Sequence, residues 1–344
     1  MSQYLVLSHI KVQNANSIAG LTWGFPAITS FLGFTHALNR YLSKHHHEIV
    51  LSGCAIISNH HNQHTYHDTS GNIRFTQRTF SYTFKPKYQN GEQKKPSTIE
   101  EGKLNLTTSL VIEIKNPLSL TNEQRKELEL QIKDICLSMR LAGGTLLSIK
   151  KVKLFSASTE DEKNTILKKI KQLIMPGFVL LDRKEYLAEY YQKLQEQNPN
   201  VELLDAWLDF SALIYKAIPE EDKEPTETTK AEWQYQPKPY KGYLVPLMTG
   251  FKAISELYAP NQVKNIRDTI TPTRFVEAIH SIGEWQGAHR ITNLEDIMWH
   301  YQYDDQWYLC VQKEFVSDSS QTTKSPDFIE EFNNLTEIDA LNLF

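Results

Sequence analysis

The order of apolar segments in the first 157 residues constrains the fold of this 344-residue chain more than any other feature. Tyr4 to Val12 is a β-branched, partly alternating run, which predicts a buried opening strand. Pro26 and the spaced apolar residues after it predict a core-facing helix from Ala27 to Leu42. A second strand is predicted over His47 to Asn59. The chain therefore begins with a strand, a helix and a strand.

Two further β-runs, Asn72 to Phe84 and Lys103 to Ile114, flank a polar and lysine-rich segment. That segment has too few apolar residues to be buried, which predicts a long hairpin whose tip projects from the fold. Thr121 and Gln124 have the spacing of a capping box at the start of a second helix, and a further strand of the sheet is predicted over Thr145 to Val152. This order is typical of an α+β fold with a split β-α-β sheet, ferredoxin-like or of the RNA-recognition-motif type.

The remaining chain changes composition several times. The segment PEEDKEPTETTK has no core-forming residue and is predicted to be a solvated linker. Beyond it come a helix-like segment, TPTRFVEAIHSIGEW, and a short aromatic strand, DDQWYLCVQ. The predicted parts are a sheet domain at 1–157 with its hairpin at about 74–114, a helical insertion with an acidic linker at 158–232, a C-terminal part packing on the sheet domain at 233–313, and an acidic tail at 314–344.

Composition limits the function classes. A formal net charge of −4 and a sequence pI near 6.3 mean that any nucleic-acid binding depends on a local basic patch. The cysteines Cys54, Cys136 and Cys310 are odd in number and lie in apolar surroundings, which predicts inert, reduced core thiols. We find neither a secretory leader pattern nor an apolar run of about eighteen residues. A soluble, cytoplasmic protein with no membrane partner is expected.

The junction from Gln13 to Leu38 is the first functional candidate. It carries Asn14, Asn16, Trp23 and Phe25 between the opening strand and helix. Such side chains stack on unpaired bases or hydrogen-bond their edges. The alternative is structural, with the aromatic rings closing the end of a core and the asparagines satisfying turn backbone.

Basic residues form the second candidate. In the hairpin they alternate with aromatic residues, which suits a nucleic-acid backbone and unstacked bases. An ordinary solvated hairpin with its aromatics facing the core is the alternative. The cations of this group are Arg74, Arg78, Lys85, Lys87, Lys94 and Lys95.

Three arginines lie elsewhere. Arg140, beside the sequence LAGG at the end of the second helix, can bind a phosphate or satisfy helix carbonyls. Arg274 and Arg290 lie around the helix predicted in the last third of the chain and suggest a second basic face.

The histidines do not form a recognisable metal or catalytic motif. Four of them, at positions 60, 61, 64 and 67, occur in a turn-like stretch that contains no cysteine, so a solvated loop is favoured over a metal site. No histidine is paired with a nucleophile or carboxylate motif, and phosphate-binding glycine loops are absent from the sequence. Neither a cofactor nor a metal is expected.

Five motifs in this order carry a family resemblance: QNANSIAGLTWGFPAITSFLGFTHAL, MRLAGGTL, MPGFVLL, GYLVPLMTGFKAIS and VKNIRDTITPTRFVEAIHSIGEWQGAHR. Together they resemble the second Csy subunit of the type I-F CRISPR surveillance complex, a Cas-five-type RAMP protein. The resemblance extends from about Leu5 to Ile291. It implies an RNA-recognition-motif palm with a projecting β-hairpin thumb, a helical insertion and a C-terminal extension.

The resemblance also implies a function. The chain would be a non-catalytic subunit that holds the five-prime handle of the CRISPR RNA, pairs with the large Csy-type subunit and caps the filament of backbone Csy-type subunits. Target double-stranded DNA would enter nearby, at the protospacer-adjacent motif. The matching motifs carry RNA-contacting roles over to Asn14, Asn16, Trp23, Arg140, Arg274 and Arg290.

Two alternatives remain open at this stage. One is a CRISPR RNA-processing endoribonuclease of the same RAMP superfamily, in which a histidine activates the ribose 2′-hydroxyl. The other is a protein-only scaffold. RAMP proteins usually contain a glycine-rich loop, and in this sequence only Gly143 and Gly144 correspond weakly to it.

Overall fold

A computed structural model describes residues 2–45, 49–79, 88–89, 92–93, 98–116, 118–219, 230–266, 268–304 and 306–312. The chain divides into two compact units. The described parts of the first unit lie within 2–183 and 240–312, and those of the second within 184–239.

The elements of the first unit up to residue 183 are β1 Ser2–Asn16, β2 Ile18–Ala19, β3 Thr22–Trp23, α1 Ile28–His45, β4 Leu51–Gln63, β5 Thr65–His67, β6 Ile73–Phe75, β7 Gln77–Thr79, β8 Tyr88–Gln89, β9 Glu92–Gln93, β10 Thr98–Glu100, β11 Lys103–Ile114, α2 Asn122–Leu137, β12 Arg140–Leu141, β13 Gly144–Ala157, α3 Glu160–Ile174 and β14 Phe178–Asp182. The second unit contains α4 Lys184–Gln197, α5 Leu203–Ser211, β15 Ile214–Pro219 and β16 Ala231–Gln236. The first unit then resumes with β17 Leu244–Ala253, β18 Val276–Gly287, the 3-10 turns Ala288–Arg290 and Glu295–Ile297, β19 His300–Asp304 and β20 Trp307–Val311.

One large antiparallel sheet organises the first unit. Its ten strands run in the order β12-β13-β1-β11-β4-β14-β18-β17-β20-β19. With the five α-helices of the described residues, this confirms the predicted α+β class. Within those residues, no helix combines the length and apolar character that a membrane crossing requires.

Both early helices follow from their sequences. In α1 the predicted core residues are all at most 3% exposed, because their spacing places them on one helical face. They are Ile28, Phe31, Leu32, Phe34, Leu38 and Leu42. In α2 the predicted capping box is present, with the Thr121 hydroxyl and the Gln124 side chain each accepting the other residue's backbone N–H.

The sheet is covered on both faces over part of its length. One face packs against α1 and α2 through a core that includes Leu5, Leu7 and Leu110. The opposite face packs against α3 and the segment 288–298, with Val6 and Ile57 in its core. The central part of the sheet is therefore packed on both of its faces.

Two sequence predictions need correction. The helix predicted over TPTRFVEAIHSIGEW is wrong, because this segment contains strand β18, which pairs with β14 and β17 along its length. The predicted pairing of the two hairpin arms is also wrong. Gln77–Thr79 pairs with Thr98–Glu100, whereas Lys103–Ile114 pairs with β1 and β4 inside the main sheet.

The second unit begins later than the predicted insertion at residue 158. Strand β14 comes before it and lies in the main sheet, because its buried residues Val179 to Leu181 pair with β18. In the second unit, α4 and α5 pack through Tyr190 and Phe210, whose ring centroids are 5.4 Å apart. The Tyr190 hydroxyl donates to Asp209 at 2.7 Å, and β15 and β16 form a two-stranded ribbon.

Candidate nucleic-acid interface

Four strands of the main sheet share one uncovered end. Register pairs Gln13 of β1 with Thr145 of β13, Ala15 of β1 with Leu104 of β11, and Leu104 with Gln63 of β4. We call this region the open end. It joins the last residues of β1 and β4 to the first residues of β11 and β13.

Polar side chains on one face of the open end are exposed. Cross-strand partners point to the same face of a sheet, and their neighbours along each strand point to the opposite face. Here the neighbours Val12, Leu104 and Leu106 are buried in the helix-side core. The exposed members, which we call the open face, are Lys11, Gln13, His60, Asn62, Asn105 and Thr145.

The structure brings together two of the matching motifs at this end. The backbone N–H of Asn14 donates to Asn105 Oδ1 at 3.2 Å, and that of Asn16 donates to the Ala142 carbonyl at 2.8 Å. Ala142 and Gly143 both have positive φ, at 50° and 74°, as a two-residue hairpin between β12 and β13 requires. The LAGG turn therefore lies against the Asn14–Asn16 segment.

Gly144 makes this close approach sterically necessary. A Cβ atom there would lie 2.6 Å from the Gln13 carbonyl oxygen and 2.8 Å from the Ala15 nitrogen. Gly143, in contrast, has no atom near its ideal Cβ position. The two glycines thus serve backbone packing and turn geometry respectively.

The candidate residues of the junction divide into structural and exposed groups. The Asn16 amide donates to the Ile18 carbonyl at 2.9 Å and accepts from the Ile18 N–H at 3.3 Å, so it holds its own turn. Phe25 stacks on Phe31 in the core. Trp23 stays 46% exposed, with its ring 4.7 Å from that of Phe75. Asn14 is also exposed.

A cavity of about 650 Å³ lies beside the open end. Its walls are mainly apolar and aromatic and include Trp23, Phe25, Leu247 and Trp285, while His60 and His61 line one side. The Gln63 amide in the wall is occupied, because it donates to the Gly24 carbonyl and accepts from the Ser17 hydroxyl. A flat apolar group with a polar edge fits this lining.

His280 anchors the loop that borders the cavity. Its Nε2 accepts the Leu21 N–H at 3.1 Å, and a Cβ on Gly20 would collide with its ring. Burial lowers the pKa of His280, while hydrogen bonds with the backbone at Ala19 and Ala278 act in the opposite direction. Sequence reasoning missed this contact, since 259 residues separate His280 from Leu21.

Sequence reasoning also missed Lys11 and Asn105. For Lys11 the sequence does contain a signal. Lys11 and Gln13 alternate with the apolar residues Ile10 and Val12, which is typical of a half-exposed strand. Only the pairing of β1 with β11 shows that Asn105 lies beside them.

The described cations of the predicted hairpin are partly neutralised. Arg74 pairs with Asp68 at 3.2 Å, and Arg78 pairs with Glu101 at 3.0 Å. Their side chains nevertheless remain 50% and 70% exposed. The predicted lysines Lys85, Lys87, Lys94 and Lys95 lie outside the described residues.

The three remaining arginines occupy separate places. Arg140 is exposed on β12 next to the LAGG turn, at the open end. Arg274 precedes β18, and Arg290 lies in the 3-10 turn that follows it, so the whole 12-residue strand lies between them along the chain. The helix around which the second basic face was predicted is therefore absent, because strand β18 occupies that segment.

Metal and thiol chemistry find no support in the described parts of the chain. There, no three His, Cys, Asp or Glu side chains come together in a way that could hold a metal ion. All three cysteines are free and buried, which confirms the predicted core thiols. Burial raises the pKa of each thiol to about 12, so these groups are poor nucleophiles.

Two comparisons identify the family. The family model described as "CRISPR-associated protein (Cas_Csy2)" matches residues 5–310. The CRISPR-associated protein Csy2 of Pseudomonas aeruginosa (strain UCBPP-PA14) is 31% identical over 306 residues, which cover 86% of this chain and 90% of that protein. The resemblance carried by the five motifs is thereby confirmed: the chain belongs to the Csy2 family of CRISPR-associated proteins and is a type I-F Csy subunit.

Proposed function

We propose that this subunit binds the CRISPR RNA of a type I-F surveillance complex and holds its five-prime handle at the open end of the sheet. The observation that carries the proposal is the open face, where six polar side chains are exposed within a sheet whose other half is covered on both faces. Asn14, Trp23 and Arg140, from the matching motifs, lie around the same end.

The chemistry of the open end suits single-stranded RNA. Lys11 and Arg140 meet phosphates, while the amides of Gln13, Asn62 and Asn105 donate to and accept from base edges. Trp23 offers a stacking surface, and the neighbouring cavity accepts an unstacked base on its aromatic wall. Charge thus positions the strand and the amides select its sequence.

The order of elements supports a palm of the RNA-recognition-motif type. The adjacent strands β13, β1, β11 and β4, with α1 and α2 on one face, have the order of a split β-α-β sheet. The proposed thumb comes between β4 and β11 along the chain. Its described base consists of the short pairs β5–β6 and β7–β10, which leave the sheet between β4 and β11.

The proposed protein partners are the large Csy-type subunit and the backbone Csy-type subunit, with target double-stranded DNA near the protospacer-adjacent motif. At the sheet edge, Tyr301 and Tyr303 of β19 are 52% and 68% exposed, which suits an interface with the large subunit. The neighbouring Trp299 does not belong to this exposed edge. It is fully buried, and its Nε1 donates to the Leu180 carbonyl at 3.0 Å.

We assign this subunit a scaffold role without catalysis. The contacts of two histidines support this assignment. His9 Nδ1 contacts the Ser8 hydroxyl at 2.8 Å, and that hydroxyl donates to the Leu173 carbonyl. His280 is engaged with Leu21, as described above.

The proposal is tested by a salt titration of handle-RNA binding, using the chain assembled with the large subunit. The double variant Lys11→Gln/Arg140→Gln removes two phosphate contacts, so the slope of log affinity against log salt should fall by about 1.4. The matched control, Lys126→Gln/Lys168→Gln, removes two exposed lysines on α2 and α3 and should leave the slope unchanged. Equal slopes for both variants would place the RNA elsewhere.

A further inference from the structure

His9 has a backbone conformation that is uncommon inside a strand. Its φ is 50°, and the pairing of β1 with β11 shifts register between Leu7 and Ile10, on either side of it. A positive φ is uncommon for residues other than glycine and persists only where neighbouring contacts hold it. Here the His9 N–H donates to the Ser109 hydroxyl at 2.9 Å. A β-bulge therefore holds His9 at a defined place in the sheet.

The bulge lies where the part of β1 that α3 covers meets the open face. Ser8 is buried, and its hydroxyl donates at 2.6 Å to the carbonyl of Leu173, near the end of α3. His9 is half-buried, and Lys11, two residues further along, belongs to the open face. The exposed Lys150 lies across from the bulge on the neighbouring strand β13. Lys11 and Lys150 therefore place positive charge on both sides of His9.

The contacts of Ser8 determine which nitrogen of the His9 ring carries the proton. A serine hydroxyl has one proton, and the Ser8 proton goes to the Leu173 carbonyl. In its 2.8 Å contact with the Ser8 hydroxyl, His9 Nδ1 is therefore the donor. A neutral ring with its proton on Nδ1 has a lone pair on Nε2, so Nε2 accepts hydrogen bonds.

The surroundings of His9 keep its ring neutral at pH 7. Burial lowers the pKa of His9, and the charge of Lys150 lowers it further, while the Leu173 carbonyl acts in the opposite direction. The net shift is downward from the ordinary value of about 6.5. Because His9 is only half-buried, a ligand on the open face can reach its ring.

A neutral acceptor between two cations suits one part of an RNA strand. Phosphate oxygens have no proton to donate, so they bind Lys11 and Lys150 and not His9 Nε2. The ribose 2′-hydroxyl is close to the phosphates of the strand and donates as well as accepts, and DNA lacks it. A base amino group can also donate. The two lysines, however, direct the sugar–phosphate backbone past His9 rather than the bases.

We propose that His9 Nε2 accepts a hydrogen bond from one ribose 2′-hydroxyl of the bound handle, and that this contact makes the open end select RNA over DNA. This role rests on the proposed function, because it requires the handle to lie on the open face. The amides of that face read bases, whereas His9 reads the sugar.

The test measures binding of handle RNAs that each carry a single 2′-deoxy nucleotide, using the chain assembled with the large subunit. His9→Gly removes the ring and suits the positive φ. Its matched control is Asn261→Gly, which replaces an exposed residue with a φ of 63° between β17 and β18. In the parent and the control, one 2′-deoxy position should weaken binding about threefold to tenfold, the range of one hydrogen bond. In His9→Gly the penalty at that position should disappear, and the penalties at the other positions should stay.

The other outcomes separate this role from the proposed function. Equal penalties in His9→Gly and the parent, with the salt slope of Lys11→Gln/Arg140→Gln reduced, would overturn the role of His9 and leave handle binding in place. Equal penalties with an unchanged salt slope would overturn both. Loss of preference for a base, with every 2′-deoxy penalty retained, would assign His9 to a base edge instead.

Two controls complete the test. The RNA should remain intact, because cleavage by the parent and not by His9→Gly would make His9 a general base and contradict the proposal. Circular dichroism and thermal unfolding of both glycine variants should match the parent, so that a lost penalty is not lost folding. If His9→Gly unfolds, His9→Asn replaces it, since asparagine also tolerates a positive φ.

Discussion

The two halves of strand β1 have opposite surroundings. Residues Tyr4 to Leu7 form an unbroken buried run because α1 and α2 cover one face and α3 covers the other. From Ile10 onward, burial alternates: Ile10 and Val12 are buried, whereas Lys11 and Gln13 are exposed. One strand therefore changes from a doubly covered to a singly covered environment.

Strand β4 shows the same change in the same chain direction, because β1 and β4 both run antiparallel to β11. Residues 53–58 are buried, and residues 60–62 are exposed. Since β1 and β4 flank β11, the covered halves of three strands coincide, as do their open halves. Stability is concentrated in the covered half, and the open half keeps side chains available for a ligand.

The largest effect should come from a cavity in the covered half. Leu110→Ala removes a fully buried side chain from the helix-side core and should lower the free energy of unfolding by about 2–5 kcal/mol. Gln13→Ala in the open half should change it by less than about 0.5 kcal/mol. Chemical denaturation of both variants gives the comparison, and similar losses would contradict a division between the halves.

Substitutions in the LAGG turn should have the next largest effect on stability. Gly144→Ala places a methyl group against the β1 backbone and should destabilise the protein by about 1–3 kcal/mol. Gly143→Asn introduces a residue that tolerates positive φ, at a position where no atom lies near the ideal Cβ. This variant should therefore lose less than about 1 kcal/mol of unfolding free energy. Thermal unfolding measures both variants. A Gly143 variant as unstable as the Gly144 variant would show that packing does not distinguish them.

Amides on the open face should affect selectivity more than stability. Asn62→Ala removes hydrogen bonds worth about 0.5–1.5 kcal/mol, so preference for the native handle over a scrambled one should fall roughly threefold to tenfold. The salt slope should not change, because no cation is lost. Asn164→Ala, an exposed asparagine on α3, is the matched control in the same competition assay. Equal preference in both variants would remove Asn62 from base recognition.

The smallest effect concerns pH. Burial lowers the folded-state pKa of His280 below its unfolded value of about 6.5, so folding favours the neutral ring. Its contribution is fully present above about pH 6.5 and is lost as the pH falls from there through the folded pKa. Between pH 7.5 and 5.5, the parent should lose more unfolding free energy than His280→Gln in denaturant titrations. A larger loss in the variant would contradict this prediction, because it would mean that His280 stabilises the fold more when its ring is protonated.

Sequence periodicity was sufficient for the covered half and for the early helices. The capping box at Thr121 and the apolar stripe of α1 are local signals, and local hydrogen bonds and packing fulfil them. Strand β18 was mistaken for a helix because its apolar residues are spaced ambiguously, and its pairing with β14 and β17 decides its conformation.

The candidate site was predicted only in part, for a related reason. Asn14, Trp23 and Arg140 were found through motifs that lie on single segments of the chain. Lys11 and Asn105 join them only through strand register, and register depends on contacts between residues about a hundred positions apart. No local pattern contains that information.

The claim that the open end holds the RNA is tested most directly by ultraviolet cross-linking of handle RNA in the assembled complex, followed by mass spectrometry of the peptides. The account predicts cross-links within 11–23, 60–63, 103–107 and 140–145. Cross-links confined to α2 and α3, at 122–137 and 160–174, would contradict it.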